Sequence, residues 1–168
     1  MKVREPRTIA LTGVSAALIF VATYFVRINV PVTSGIMHIG DGIIFMTAAL
    51  LAPIPAGIAA ALGSALANWM GAGGPQWIPV TLIAKFLLGY FASVAIRKVN
   101  NHGIVAAIFI IIEFLFIVVL YSTYSALIVN TPSVAWAAMP PMLLQATLGV
   151  AIGIAGVPMM KKLKHLIE

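Results

Sequence analysis

The chain has 168 residues, of which 62% are hydrophobic and only 8% are charged. A soluble domain carries about 25% charged residues, so the composition excludes a soluble globular protein and predicts a membrane-embedded one. There is no cysteine, which excludes disulfides, thiolate metal sites and cysteine nucleophiles. The net charge of +6 comes from short basic clusters beside apolar runs, a pattern of membrane proteins rather than of nucleic-acid-binding surfaces.

Several apolar runs are long enough to cross a membrane. A helix that spans a core of about 30 Å needs roughly 20 apolar residues. Four runs meet this length or approach it: Ile9–Ile28, Ile78–Ile96, Gly103–Tyr124 and Pro140–Pro158. Two shorter apolar pieces lie between Asp41 and Met70, separated by Pro53 and Pro55, and they form either a short tilted helix with a span or a re-entrant hairpin. The sequence therefore predicts one all-α membrane domain, residues 1–168, of six transmembrane helices.

The basic residues predict the orientation of this bundle. Eight of the ten Lys and Arg residues lie before the first run, in the connection after Ile96, or after the last run. Positively charged flanks favour the cytoplasm, so both termini are predicted to be cytoplasmic, in a prokaryotic plasma membrane. The outer side then carries three loops: Asn29–Gly40, Gly71–Trp77 and Leu127–Ala135.

Three ionisable residues lie within or at the start of the predicted spans: Asp41, Lys85 and Glu113. A charge inside a bilayer faces the protein interior and has a partner. Lys85 and Glu113 therefore either form a buried pair that fixes packing, or face an outward-open cavity and bind a polar ligand.

Helical spacing favours the cavity. Small residues occupy the cytoplasmic half of three helix faces and a polar residue the outer half, as where Gln145 precedes Gly149, Gly153 and Gly156 on one stripe. Aromatic residues near the outer interface also occur as membrane belts without a ligand, and His38 also fits a surface histidine. The predicted substrate-binding residues are His38, Asp41, Asn68, Trp69, Lys85, Glu113, Tyr121, Tyr124 and Gln145.

Other chemistry finds little support in the sequence. No set of His, Asp and Glu has metal-ligand spacing, no phosphate-binding loop occurs, and no Ser and His have an acidic partner that would complete a hydrolase triad. We therefore expect no enzyme activity, no metal and no cofactor. On the first helix, Ala10, Gly13 and Ala17 form a small-residue face near the cytoplasmic end, which is typical of close helix contact.

The chain resembles the substrate-binding S components of energy-coupling factor (ECF) vitamin transporters, of the riboflavin and hydroxymethylpyrimidine/pyridoxine branch. The resemblance is carried by Ile39-Gly40-Asp41 to Pro53, by the small-residue stretch Gly57–Asn68, and by Pro79–Lys85. It implies a vitamin pocket on the outer side, and docking to a membrane coupling subunit that two ATPase subunits drive. Family members dock through an Ala-x-x-x-Ala motif on the first helix, which Gly13 and Ala17 match with Gly in place of the first Ala.

Three classes of function can be compared with these observations. The favoured one is a binding subunit for uptake of a small ring-containing vitamin or precursor, pyridoxine or hydroxymethylpyrimidine, with riboflavin as the alternative ligand. The others are an independent small transporter and an intramembrane enzyme, for which the sequence holds no catalytic constellation.

Overall fold

A computed structural model describes residues 5–30, 35–129 and 132–167. Its helices are α1 (Glu5–Phe25), α2 (Gly40–Ala48), α3 (Pro53–Trp69), α4 (Ile78–Lys98), α5 (His102–Glu113), α6 (Leu120–Val129) and α7 (Pro132–Ile167). A π-helical segment, Phe114–Val119, joins α5 to α6, so these two form one continuous span from Gly103 to Ile128. Two short antiparallel strands, β1 (Arg27–Val30) and β2 (Gly35–His38), form a hairpin between α1 and α2.

Local sequence explains where several helices begin. Pro53 opens α3 after the extended residue Ala52, because proline has no N–H to lose in a first helical turn. The side chain of Asn101 caps α5 by accepting hydrogen bonds from the N–H groups of Gly103 and Ile104, at 2.9 and 3.2 Å. Before α4, the loop turns at Gly71, Gly73 and Gly74, which have positive φ angles that glycine adopts readily.

Four helices of the described part of the chain are long and apolar enough to cross a membrane, Pro6–Phe25, Pro75–Lys98, Gly103–Ile128 and Met139–Lys164. α3, with 17 residues, is nearly as long. α2 has nine residues and rises only about 13 Å, so it does not span a core of about 30 Å by itself. The predicted all-α membrane bundle is confirmed, with α2 as its short member.

The loops differ from the prediction in two places. The segment predicted as the loop Asn29–Gly40 contains the hairpin, and the first helix ends at Phe25, before Ile28. The predicted loop Leu127–Ala135 is much shorter, because α6 continues to Val129 and α7 already begins at Pro132. Pro140 and Pro141, which we expected to open the last helix, lie inside it, as membrane helices tolerate.

Small residues bring the helices close together. A Cβ atom at Gly89 of α4 would lie 2.6 Å from the carbonyl oxygen of Ala56 in α3, and one at Gly153 of α7 would lie 2.5 Å from Cβ of Phe45 in α2. Large apolar side chains such as Ile83, Ile111 and Leu127 instead face outward. This distribution is that of a bundle whose outer surface contacts lipid and whose helices pack through small residues.

Candidate functional site

The buried charges meet where α2, α4 and α7 converge below the hairpin. Asp41 lies in the first turn of α2, and its Oδ1 accepts a hydrogen bond from Nζ of Lys85 in α4. Its Oδ2 accepts a second bond, of 2.6 Å, from the side-chain amide of Gln145 in α7. Asp41 and Lys85 are 0% and 1% exposed, so each charge is balanced by the other within the protein.

The hairpin is attached to this group by backbone contacts. The backbone N–H of His38 donates to Oε1 of Gln145 at 3.2 Å, while the N–H of Gly40 donates to Nδ1 of His38 at 3.1 Å. Part of the His38 surface is exposed, yet protein surrounds the ring, and this desolvation lowers the pKa of His38 to about 4. His38 is therefore neutral at physiological pH, in agreement with an Nδ1 that accepts a hydrogen bond.

Aromatic and hydroxyl groups continue the network from Lys85 toward the loop before α4. The ammonium group of Lys85 lies 5.6 Å from the ring centre of Tyr121. The hydroxyl of Tyr121 bonds that of Thr81 at 2.7 Å, and Thr81 accepts a 2.7 Å bond from Asn68. Trp77 stacks on Tyr121 with ring centres 6.0 Å apart. We call the connected residues Asp41, Lys85, Gln145, Tyr121, Thr81 and Asn68 the polar cluster.

Glu113 lies at the edge of the polar cluster. It is 0% exposed, and neither of its carboxylate oxygens has a hydrogen-bond partner among the residues that the structure describes. Gly149 separates Glu113 from Asp41: a Cβ atom at Gly149 would lie 2.9 Å from Oε1 of Glu113 and 3.0 Å from Cβ of Asp41.

The structure brings most of the predicted site residues together. His38, Asp41, Asn68, Lys85, Tyr121 and Gln145 are linked by the contacts above, and Glu113 lies beside them. Tyr124 lies at the rim, where its ring is 6.0 Å from that of Trp77 and its hydroxyl donates to the carbonyl of Gln76 at 2.8 Å.

Trp69 is 68% exposed at the last residue of α3, and none of the contacts described above includes it, so its role in binding stays a prediction. The alternative of a Lys85–Glu113 pair is wrong, because Lys85 pairs with Asp41. Asp41 precedes both in the chain and reaches Lys85 only because α2 is inserted beside α4.

Two residues of the site were not among those predicted. Trp77 is 5% exposed and Thr81 is 1% exposed, and both stand on the face of Lys85 at intervals of four residues. Such spacing places side chains above one another on a helix. The position of Lys85 alone was therefore a sufficient signal to select them.

The π segment changes which residues of the fifth span face inward. In a regular α-helix, Glu113, Ile117, Leu120 and Tyr124 would share one face. Beyond Phe114–Val119, the buried residues are instead Ser122 and Ser125, and Tyr121 contacts the cluster. A π turn inserts one extra residue and rotates the part of the helix beyond it, and such turns are frequent at functional sites.

The predicted contact face of α1 lies on the surface of the bundle. Ala10, Gly13 and Ala17 are exposed, and a Cβ atom at Gly13 would meet nothing within 4 Å. Val14 and Leu18 beside them are 59% and 53% exposed. Within residues 5–30, 35–129 and 132–167, no three His, Cys, Asp or Glu residues are grouped so that they could hold a metal ion.

Ionisable side chains that are buried within membrane-length helices mark substrate or ion pathways. The model of the family described as "ECF-type riboflavin transporter, S component" matches residues 4–165 of the chain. The chain therefore belongs to this family. That family is one of membrane transporter components and not of enzymes.

Two curated relatives resemble parts of the chain. An uncharacterized protein in the gap 3'region of Pyrococcus woesei is 35% identical over 83 residues, which are 49% of this chain and 55% of that protein. A UPF0397 protein of Lactiplantibacillus plantarum is 35% identical over 71 residues, 42% of this chain and 38% of that protein. The matched part of the chain thus spans about half, or less, of the length of these relatives. No solved structure matches the chain.

Proposed function

We propose that the chain is the substrate-binding subunit of an ECF-type ABC importer and that the polar cluster binds a small ring-containing vitamin or vitamin precursor. The observation that carries this proposal is the buried network of Lys85, Asp41 and Gln145 beside the stacked pair Trp77 and Tyr121. Pockets for such ligands combine aromatic walls with a few convergent polar groups, and here both are present on four different helices.

Pyridoxine and hydroxymethylpyrimidine are the ligands that we favour. Their single rings suit a cluster whose side chains reach one another directly, as Thr81 reaches both Asn68 and Tyr121. Riboflavin is the second candidate, because the family model that matches nearly the whole chain is described by that ligand.

Orientation and partners complete the proposal. Six passes with both termini in the cytoplasm of a prokaryotic cell would place the hairpin and the polar cluster on the outer side, and Arg97, Lys98 and the C-terminal lysines inside. The exposed face formed by Ala10, Gly13 and Ala17 would dock to a transmembrane coupling subunit that acts with two ATPase subunits. The alternative, an independent small transporter, would transport its substrate in liposomes without these partners.

The decisive experiment is to identify the small molecule. We expect mass spectrometry of compounds released from the purified protein to find a ring-containing vitamin or precursor, and the ligand-free protein to bind that compound on titration. The variant Thr81→Val removes the hydroxyl that links Asn68 and Tyr121. A neutral hydrogen bond contributes about 0.5–1.5 kcal/mol, so affinity should fall roughly two- to tenfold.

Thr147→Val is the matched control, since Thr147 is exposed on α7 and its hydroxyl donates to the carbonyl of Leu143 within the same helix. Equal affinities in the two variants, or no binding of any ring compound by the unmodified protein, would contradict the proposal.

A further inference from the structure

Glu113 is a buried carboxyl group at the edge of the polar cluster, and none of the bonds that connect the cluster involves it. It is 0% exposed, and neither of its side-chain oxygens has a hydrogen-bond partner among the described residues. A carboxylate that is buried without a partner is far less stable than the same group in water, so such a group binds a proton instead. The burial and the missing partners therefore favour the neutral acid.

The titratable groups around Glu113 come from three other elements. Asp41 of α2 lies across Gly149 of α7: Oε1 of Glu113 is 2.9 Å and Cβ of Asp41 is 3.0 Å from the position that a Cβ atom would take at Gly149, so the two atoms are at most about 6 Å apart. Lys85 of α4 and Tyr121 of α6 also interact electrostatically with Glu113. The glycine is thus a point of tight contact that holds two carboxyl groups side by side.

Asp41 already supplies the negative charge that Lys85 requires. Nζ of Lys85 is bonded to Oδ1 of Asp41, and both side chains are almost completely buried. When two carboxyl groups share a buried site, repulsion between like charges keeps a proton on one of them. One ammonium, one carboxylate and one protonated carboxyl group together leave this part of the protein without net charge.

We propose that Glu113 is a proton-binding residue and the reserve counter-ion of Lys85: it is neutral while Lys85 is paired with Asp41, and it ionises when Asp41 is no longer available. In the second state the O–H bond of Glu113 breaks, the proton passes to the surrounding water, and the carboxylate pairs with the ammonium group of Lys85. One positive and one negative charge are then present in both states. This role does not depend on which ligand the protein binds.

Infrared spectroscopy detects the proton directly, because a protonated carboxyl group has a C=O stretching band that a carboxylate lacks. The chain has only four Asp and Glu residues, and we expect Glu5 and Glu168, near the two ends of the sequence, to be ionised at neutral pH. Protein in a maltoside detergent, which has no ester carbonyl, should show one such band, shifted in D2O. Glu113→Gln should abolish the band, and the control variant Glu5→Gln should preserve it.

The variant Asp41→Asn tests the reserve role. It removes the carboxylate that is paired with Lys85 and keeps the shape of the side chain, so Glu113 should release its proton and the band should disappear. Asp41→Asn combined with Lys85→Met leaves no ammonium group to balance. In this double variant Glu113 should hold its proton again, and the band should return.

Stability provides a readout that is independent of the infrared band. Glu113→Gln replaces one neutral group by another of the same shape, so it should hardly change the unfolding temperature of the otherwise unmodified protein. In the Asp41→Asn background the same change leaves Lys85 without any carboxylate, so it should lower the unfolding temperature clearly or prevent folding. Residues that share one partner show such non-additive effects.

Four results would overturn the inference. They are the absence of the band in the unmodified protein, a band that persists in Glu113→Gln, a band that persists in Asp41→Asn, and an effect of Glu113→Gln on stability that is the same with and without Asp41. If Asp41→Asn fails to fold, as the double variant with Glu113→Gln is expected to do, Glu113 does not replace Asp41 and the inference is also wrong. No ligand is added in these experiments, so their failure would leave the proposed function unaffected.

Discussion

Lys85 and Asp41 are the residues on which the polar cluster depends, because each is almost completely buried and bonded to the other. Removing one partner of a buried ion pair leaves an uncompensated charge. We therefore expect Lys85→Met to lower the free energy of unfolding by about 3–5 kcal/mol, measured by denaturation in detergent micelles and followed by tryptophan fluorescence.

The double change Lys85→Met with Asp41→Asn should recover most of that loss, since no charge is then left unpaired. Lys85→Met combined with Glu113→Gln should not recover it, because Glu113 is not the partner of Lys85. Recovery by the second combination and not by the first would show that the structure assigns the wrong partner.

At this scale the sequence predicts candidates better than it predicts contacts. Rarity alone selects Asp41, Lys85 and Glu113, since charges within apolar spans are costly. Which of them pair depends on how far α2 reaches beside α4, and this is a property of packing between distant segments. Trp69 and Trp77 show the same limit: they are eight residues apart in similar surroundings, yet one faces outward and the other stacks on Tyr121.

Among the elements, α1 has the clearest division between an outer and an inner face. Gly13 faces outward with open space around it, whereas Gly63 of α3 packs against α1 so closely that a Cβ atom there would overlap the carbonyl oxygen of Ala16. We expect Gly13→Leu to leave stability and ligand affinity unchanged but to prevent assembly with the coupling subunit, measured by co-purification. Ala17→Leu should behave in the same way.

Gly63→Leu provides the comparison. It inserts a side chain into a filled interface, so it should destabilise the fold by about 1–3 kcal/mol or more and reduce the yield of folded protein. Normal assembly of Gly13→Leu would show that this face of α1 is covered by lipid alone.

The fifth span shows why the sequence does not always predict which side of a helix faces the protein interior. Its hydrophobic run is evident from the sequence, although the predicted span ends at Tyr124 and α6 continues to Val129. The π segment is not evident, because an extra residue within a uniformly apolar stretch leaves the composition unchanged. Its effect is large nevertheless, since it brings Tyr121 into the cluster and leaves Tyr124 at the rim.

For the whole molecule, the orientation in the membrane is the main prediction that remains to be tested. α4 has 21 residues and is about 31 Å long, which is enough for its two ends to lie on opposite sides of a bilayer core of about 30 Å. The chain has no native cysteine. In intact cells we expect an impermeant thiol reagent to modify Gln76→Cys before α4, and to modify Asn100→Cys after it only once the membrane is permeabilised.

The two labelling positions, Gln76 and Asn100, are both exposed. Gln76 is preferable to the neighbouring Gly73, whose φ of 100° would strain a cysteine. Asn130, another candidate for the outer side, lies outside the described residues. Labelling of Asn100→Cys in intact cells would reverse the orientation that the basic residues predict.

The packing of α2 against α7 has a consequence for how a ligand would leave. α7 presents Gly149, Gly153 and Gly156 to Asp41, Phe45 and Met46 of α2, so the side chains of α2 lie directly against a backbone that carries no side chains at these positions. α2 is also a short helix, and Asp41 lies in its first turn. A tilt of α2 would open its interface with the glycines of α7. The same movement would withdraw Asp41 from both Lys85 and Gln145. We therefore expect a bound ligand to be released in the same movement that separates Asp41 from Lys85 and Gln145.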